Sequence, residues 1–257
     1  MTETTTGDQS RAQEQAQTGG HVEAASLWGD AWKDLRRNPF FVVSALLIIL
    51  FIVMAVAPGL FTNTDPRACD LSRSLERPSS SHWFGFDLQG CDYYARVVYG
   101  ARASIAVGLL VTAGTALIAI IVGTLAGYYG GAADAVVSRI ADMVFALPFL
   151  LGAIVFLSVI QNRGIFQVAF VLVVFSWPIM TRIMRSSVLA AKNSDYVSAA
   201  KVLGGGDVRI MRKHVLPNAL APLVVYATVF VGLVIAAEAS LTFLGVGLQL
   251  PSISWGL

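Results

Sequence analysis

The chain has 257 residues, of which 56% are hydrophobic and only 13% charged, with a formal net charge of +2. Soluble domains carry about 25% charged residues, so the composition excludes an ordinary soluble domain and points to a chain that uses lipid as its solvent. The small net charge gives no argument for a nucleic-acid partner.

Residues 1–26 are rich in Thr, Gln, Glu, Gly and Ala and read as a disordered tail. Residues 27–37, LWGDAWKDLRR, place Leu27, Trp28, Ala31, Trp32 and Leu35 on one helical face. Trp favours the membrane boundary, so this segment reads either as an interfacial helix or as the frayed start of the first span. Residues 1–38 are therefore taken as tail and interfacial helix, and 39–257 as the membrane domain. Five apolar runs follow at about 40–61, 103–126, 140–160, 165–183 and 218–240, and a helix needs about 20 residues to cross a bilayer core. A charge at mid-span costs roughly 2.5–3.5 kcal/mol, and these runs hold almost none. The first run is longer than the roughly 7–15 apolar residues of a signal peptide, so it is read as a retained span although Ala55-Val56-Ala57 resembles a cleavage site.

The loop 62–100 contains both cysteines of the chain, Cys69 and Cys91. Outside the membrane two thiols in one loop suggest one bridge, the alternative being two unpaired thiols. Closing about 22 residues is worth roughly 3 kcal/mol in the chain-entropy model. Span two ends in GTLAGYYGG, where Gly123 and Gly127 form a GxxxG pair that permits close helix contact in lipid. Asp134, Arg139 and Asp142 follow, and Leu147-Pro148 falls inside span three, where proline predicts a kink.

A polar, basic hairpin, 184–217, separates the last two spans. Within it, DYVSAAKVLGGGDVRIMRKHVLP (195–217) places Tyr196, Ala199, Ala200 and Leu203 at i, i+3, i+4 and i+7, an apolar stripe on a short helix. Two small alanines let another surface approach the backbone. Gly204, Gly205 and Gly206 break the helix, and Asp207 is expected to cap a second, basic helix ending at Leu216-Pro217. The segment reads as a docking surface or, more plainly, as a generic amphipathic loop helix. Glu238, near the outer end of span five, is an ionisable group beside lipid and needs a polar partner or water. It reads as a gate residue at the outer mouth, or as a carboxylate that reaches interfacial water or caps a following short helix.

Orientation follows from the basic residues. With the N-terminus inside, the cytoplasmic side carries Arg11, Lys33, Arg36, Arg37, Arg139, Arg182, Arg185, Lys192, Lys201, Arg209, Arg212 and Lys213, twelve in all. The outer side carries six, Arg67, Arg73, Arg77, Arg96, Arg102 and Arg163, which is the positive-inside bias and puts the hairpin in the cytoplasm. There is no G-x-x-x-x-G-K-[ST], HExxH or G-x-S-x-G, and His21, His82 and His214 are scattered over both sides. The chain is thus expected to be no enzyme, with no metal centre and no cofactor of its own.

Ser198-Ala199-Ala200, Gly204 and His214-Val215-Leu216-Pro217 resemble the E-A-A, G and I-x-L-P of the cytoplasmic loop in permease subunits of binding-protein-dependent ABC importers. The departures at Ser198 and His214 resemble the dipeptide/oligopeptide/nickel branch, with its YVxAAxxLG and RxHxLPN. Residues 82–105 are similar to that branch's HWFGTDxxGRDxxxRxxYGARxSL, with Cys91 where Arg is common, and the stretches at Gly127 and Glu238 resemble AGYxGG and EASLSFLGLG. The resemblance runs from about residue 35 to the end. It implies an all-α membrane protein with the type I ABC importer permease fold, multi-pass in the cytoplasmic membrane. In that family the hairpin docks into a groove on the ATPase, which assigns coupling to Tyr196, Ala199, Ala200, Leu203, Gly204, His214, Leu216 and Pro217. The implied partners are a second, homologous permease subunit, two cytoplasmic subunits that bind the ATP, an extracellular substrate-binding protein and membrane lipid. Di- or oligopeptides lead as substrates, with nickel or another small solute as alternatives. A non-transporting scaffold that binds the ATPase is the second reading, and a secondary transporter or channel the third. The family usually has a sixth span after SWG, whereas this sequence stops at Leu257. The expectation is a shortened form with an outer C-terminus that transports poorly, or one whose last span a partner replaces.

Overall fold

The computed structural model describes residues 27–257, so the expected tail over 1–26 lies outside the described residues. The chain divides into two units, Met1–Leu50 and Phe51–Leu257. In the first, α1 (Leu27–Arg37) is followed by the start of α2 (Pro39–Val56). Asn38 joins them: its Oδ1 accepts the Phe40 N–H at 3.0 Å, and Pro39 opens α2 where a missing N–H costs nothing. Trp32 sets its ring edge-on to Phe41, with centroids 6.2 Å apart.

Four helical stretches among the described residues are long and apolar enough to cross a membrane: Pro39–Val56, Tyr93–Tyr129, Ile165–Lys192 and Asp207–Phe243. The expected third span, 140–160, is instead two helices, α5 (Gly131–Phe145) and α6 (Phe149–Val159), bent by 79° and counting as a fifth span only if taken together. Pro148 does more than kink. It has no N–H to give, and it disfavours helical backbone at Leu147. The helix stops, and Pro148 with ψ 125° becomes the cap of α6.

The second span starts ten residues earlier than hydropathy predicts. The Asp92 carboxylate accepts the Ala95 N–H at 2.8 Å and caps α3 (Tyr93–Ile118), which shortens the loop expected over 62–100. A wide π turn (Ala119–Gly123) and α4 (Thr124–Tyr129) continue it without a break. The GxxxG pair in this run lies against α7 (Ile165–Lys192). A Cβ on Gly123 would stand 2.9 Å from the Thr181 carbonyl oxygen, and one on Gly127 would stand 2.9 Å from that of Arg185. In lipid, helices gain nothing from hiding apolar surface from water, so such close backbone approach is what holds them.

Between α7 and the last span lie α8 (Asp195–Val202), α9 (Asp207–Ile210) and a second π turn (Met211–Val215). That turn runs straight into α10 (Leu216–Phe243). The expected basic helix therefore does not end at Leu216-Pro217. In a regular helix the Pro217 ring would clash with the carbonyl four residues back. The π turn widens the spiral there, and Asn218 Nδ2 donates to the His214 carbonyl at 2.6 Å. Because α7 also continues to Lys192, the non-helical part of the hairpin is shorter than 184–217. Val107 and Val111 of α3, Leu172, Met180 and Met184 of α7, and Leu223, Val234 and Leu241 of α10 form the buried core. The end of α2 packs Met54 and Ala55 on Val98 and Ala101 of α3.

The second unit has two distinct ends. At the loop end, the chain after α10 meets both the disulfide loop, where Arg67 Nη2 donates to the Pro251 carbonyl at 2.8 Å, and the connection between α6 and α7, where the Arg163 carbonyl accepts the Gln249 N–H at 3.1 Å. At the hairpin end, the Tyr128 hydroxyl donates to Asp207 at 2.9 Å. The short helix expected after span five is not formed. Gly245, at φ 78°, ends α10 with its N–H on the Thr242 carbonyl and that of Val246 on Leu241, and an irregular chain follows.

Candidate functional site

At the hairpin end, α8 is a two-turn helix stopped by glycine chemistry. The Gly205 N–H reaches the Ala200 carbonyl at 3.0 Å and the Gly204 N–H that of Lys201 at 2.9 Å, while Gly204 takes φ 79°. This is the left-handed termination that an L side chain resists. The helix is anchored by Val197, which is fully buried, and in part by Ala200, both in the cluster with Ile210 and Val215. Its other face is bare. Tyr196 and Ala199 are exposed, and Leu203 just past the end is 88% exposed, as is neighbouring Val202 at 89%. Four apolar residues on one polar hairpin with nothing over them make a surface suited to a protein partner. His214, half-buried in the π turn, with Leu216 and exposed Pro217 belong to the stem that carries the hairpin rather than to this bare face.

Polar contacts that sequence reading missed bolt the hairpin to the bundle. Asp207 is the first residue of α9 rather than its cap, a position held by Gly206, and its carboxylate is spent on Tyr128 at the end of α4. Lys192 Nζ donates to the Tyr128 carbonyl, so both strands of the hairpin meet at one residue. Arg185 makes a two-pronged ion pair with Asp134, its Nη2 at 2.6 Å from Oδ2. Such forked pairs fix orientation as well as charge. Arg182 pairs with Asp142 at 2.6 Å, but both side chains are more than half exposed, so this contact is worth at most about 1 kcal/mol. The only advance signal for these pairs was a cluster of acids, Asp134 and Asp142, on the side that carries most of the basic residues.

At the loop end, Cys69 and Cys91 are joined in a disulfide. Gly90, at φ 73°, packs so tightly against the Asp70 backbone that any Cβ would overlap it. Asp87 accepts the N–H groups of Gln89 and Cys91, both at 2.8 Å, and pairs with Arg96 at 2.5 Å. His82 Nδ1 lies 2.5 Å from Asp92, which also caps α3, so the loop is tied to the helix it precedes. The Ser72 hydroxyl and then its N–H hold the Asp70 carboxyl below its ordinary 3.8. These contacts make a folded cap rather than a slack connection.

Glu238 is fully buried and reaches no interfacial water. One carboxylate oxygen accepts from Ser104 at 3.2 Å and the other from Thr242 at 2.7 Å. Each hydroxyl is in turn an acceptor: Ser104 for the Trp255 N–H at 3.0 Å, Thr242 for that of Leu248 at 3.0 Å. The carboxylate therefore orders the chain that follows α10 and joins it to α3. Trp255 Nε1 completes the joint on the Val97 carbonyl at 2.9 Å. Among the described residues no group of three His, Cys, Asp or Glu is placed to hold a metal.

Comparison with known proteins accounts for most of the chain. The model of the binding-protein-dependent transport system inner membrane component family matches residues 119–257, more than half of the sequence. That of the N-terminal TM domain of oligopeptide transport permease C matches 26–78. The oligopeptide transport system permease protein OppC of Bacillus subtilis is 37% identical over 234 residues, covering 91% of this chain and 76% of that protein. The dipeptide transport system permease protein DppC of Alkalihalophilus pseudofirmus is 36% identical over 233 residues, with the same coverage. The glutathione transport system permease protein GsiD of Pectobacterium atrosepticum is 35% identical over 230 residues, 89% of this chain and 76% of its own.

Proposed function

The chain belongs to the family of binding-protein-dependent transport system inner membrane components and is a multi-pass permease subunit of an ABC importer, and on that premise we propose that it moves di- or oligopeptides inward. It does so with a second, homologous permease subunit, two ATP-binding subunits and an extracellular binding protein. The family is not enzymatic, so the chain supplies a path and a coupling surface while ATP is bound by its partners. The hairpin end and the N-terminus face the cytoplasm, and the disulfide loop faces out, where a disulfide persists. The substrate class rests on the names of relatives similar over nine-tenths of the chain.

The single observation that carries the coupling role is the bare face of α8, with Tyr196, Ala199 and Leu203 outward while Val197 anchors the helix. In the assembled transporter that face seats on the ATPase. Closure of the ATPase pair on ATP then pushes a hairpin already bolted to α4 and α7 by Tyr128 and Lys192. A ligand shifts a conformational equilibrium only by its difference in affinity for the two states, and bound ATP provides that difference. Two measurements on Ala199→Glu test this: the variant is expected to insert and fold, yet to lose retention of the ATPase in pull-down and ATP-driven dipeptide uptake in vesicles. A charge in a close-packed apolar contact has no partner to offset its desolvation. Wild-type retention by the variant would sink the coupling role, and uptake by the wild-type chain alone without ATP would sink the importer reading.

A further inference from the structure

We propose that a cleft at the loop end, around Arg102, is a recognition site for a carboxylate, which on the peptide reading above is the free C-terminus of a short peptide. The cleft holds about 500 Å³, within the roughly 300–1,000 Å³ of small-molecule sites. Four pieces of chain wall it: the start of the disulfide loop (Asn63 to Arg67), a turn of α3 (Tyr99 to Ala103), Ile165 at the start of α7, and the segment from Pro251 to Ile253. Its frame is preset. Arg67 spends its guanidinium on the Pro251 carbonyl at 2.8 Å, and the Asp65 carboxylate accepts the Arg67 N–H at 2.9 Å. The Glu238 network holds the Pro251–Ile253 wall from both sides, through Leu248 and Trp255.

Arg102 stands apart from this frame. Among the described residues its exposed guanidinium has no ion pair and no hydrogen bond; the same holds for Arg77 outside the cleft, whereas Arg67, which also lines the cleft, is engaged. Tyr99, one helical turn away, and Ser252 also line the cleft, and among the described residues neither hydroxyl has a hydrogen-bond partner. A guanidinium offers a planar fork of donors that matches a carboxylate, and two hydroxyls can complete its coordination. Asp65 in the same cleft supplies the opposite sign for the ammonium end of a zwitterion. Arginine near a membrane boundary can also meet a lipid phosphate. Both ligands present anionic oxygens, and the experiment separates them.

The probe is Ala-Ala, titrated by saturation-transfer NMR onto the purified full chain in phosphatidylcholine nanodiscs, beside Ala-Ala amide. Ala-Ala is expected to bind and the amide to bind at least tenfold more weakly. Hydrogen bonds to a charged group account for about tenfold or more, so R102Q is expected to weaken Ala-Ala by that factor. Arg77→Gln, outside the cleft, is expected to change nothing. If R102Q fails to fold, Arg102→Lys keeps the charge, loses the fork and is expected to weaken binding several-fold. Equal binding of acid and amide, or no effect of the Arg102 variants, overturns the proposal. So does an R102Q effect confined to phosphatidylglycerol enrichment in mixed nanodiscs, which assigns the arginine to lipid. Failure of the peptide-import reading is distinguishable: carboxylate binding without ATP-driven uptake by the assembled complex leaves the cleft standing, and uptake without such binding overturns the cleft alone.

Discussion

Replacing Gly123 and Gly127 together by alanine sets two effects of opposite sign against each other. In a helix interior each Gly→Ala change gains about 1 kcal/mol from backbone entropy. Here each new Cβ must occupy space already taken: 2.9 Å from the Thr181 carbonyl and the Met184 Cβ at one site, 2.9 Å from the Arg185 carbonyl and the Val188 Cγ1 at the other. Carbon pairs prefer about 3.5–4.0 Å, and a backbone carbonyl cannot rotate aside. Overpacking costs about 1–3 kcal/mol per site, so two sites lose about 2 kcal/mol net of the entropic gain. At roughly 2–4 °C per kcal/mol for a chain of this size, Tm falls by about 4–8 °C. Gly232 is the control. Nothing lies within 4 Å of its Cβ position, so Gly232→Ala keeps the entropic gain and Tm rises by about 1–4 °C. Tryptophan-fluorescence melting of the purified chains in one detergent reads both. If the two variants shift in the same direction, propensity rather than helix approach governs, and the packing argument at the GxxxG pair is wrong.

Neither thiol should react with maleimide in protein taken from membranes without reductant, and free thiols there would refute the bridge. Removing it with Cys69→Ala/Cys91→Ala, across a separation of 22 residues, costs the loop about 3 kcal/mol and shows as faster proteolysis within 57–92. Thr242→Val keeps the shape of the side chain but strands both a Glu238 oxygen and the Leu248 N–H, each worth about 1–3 kcal/mol when buried without a partner. Its Tm should fall by several degrees, and an unchanged Tm would show that Glu238 does not organise the chain after α10.

The membrane class, the glycine stop at Gly204 and the close approach at Gly123 and Gly127 were legible because each is local: a run, a backbone angle, a spacing. Span boundaries were less so. The helix begins at Tyr93, where Arg96 and Arg102 depress the apolar average, although Asp92 three residues before Ala95 was a readable cap. Proline was misread in both directions. Pro148 ends a helix where a kink was expected, and Pro217 lies inside a continuous run where an end was expected, because a π turn leaves no mark in composition. On α8 the stripe of Tyr196, Ala199 and Leu203 was legible, but not that Val197 is the residue buried, since pattern alone does not tell which apolar face meets its own chain. Glu238 was singled out as needing a partner. That one of its two partners is Ser104, 134 residues earlier, only the fold could show.

The uninterrupted run from Asp207 to Phe243 has a mechanical consequence. Its 37 residues make a rod about 55 Å long at 1.5 Å per residue. A rod of that length pivoting by about 5° at its middle swings its two tips about 2 Å in opposite directions. One tip carries the Asp207 bond beside the hairpin and the other the Glu238 joint. On the coupling role proposed above, a displacement of α8 at one surface would reach the other through this rod, with no relay of side chains between them. The hydrogen-bond pattern changes at the π turn below Pro217, and that is where the rod would be expected to give under such a push.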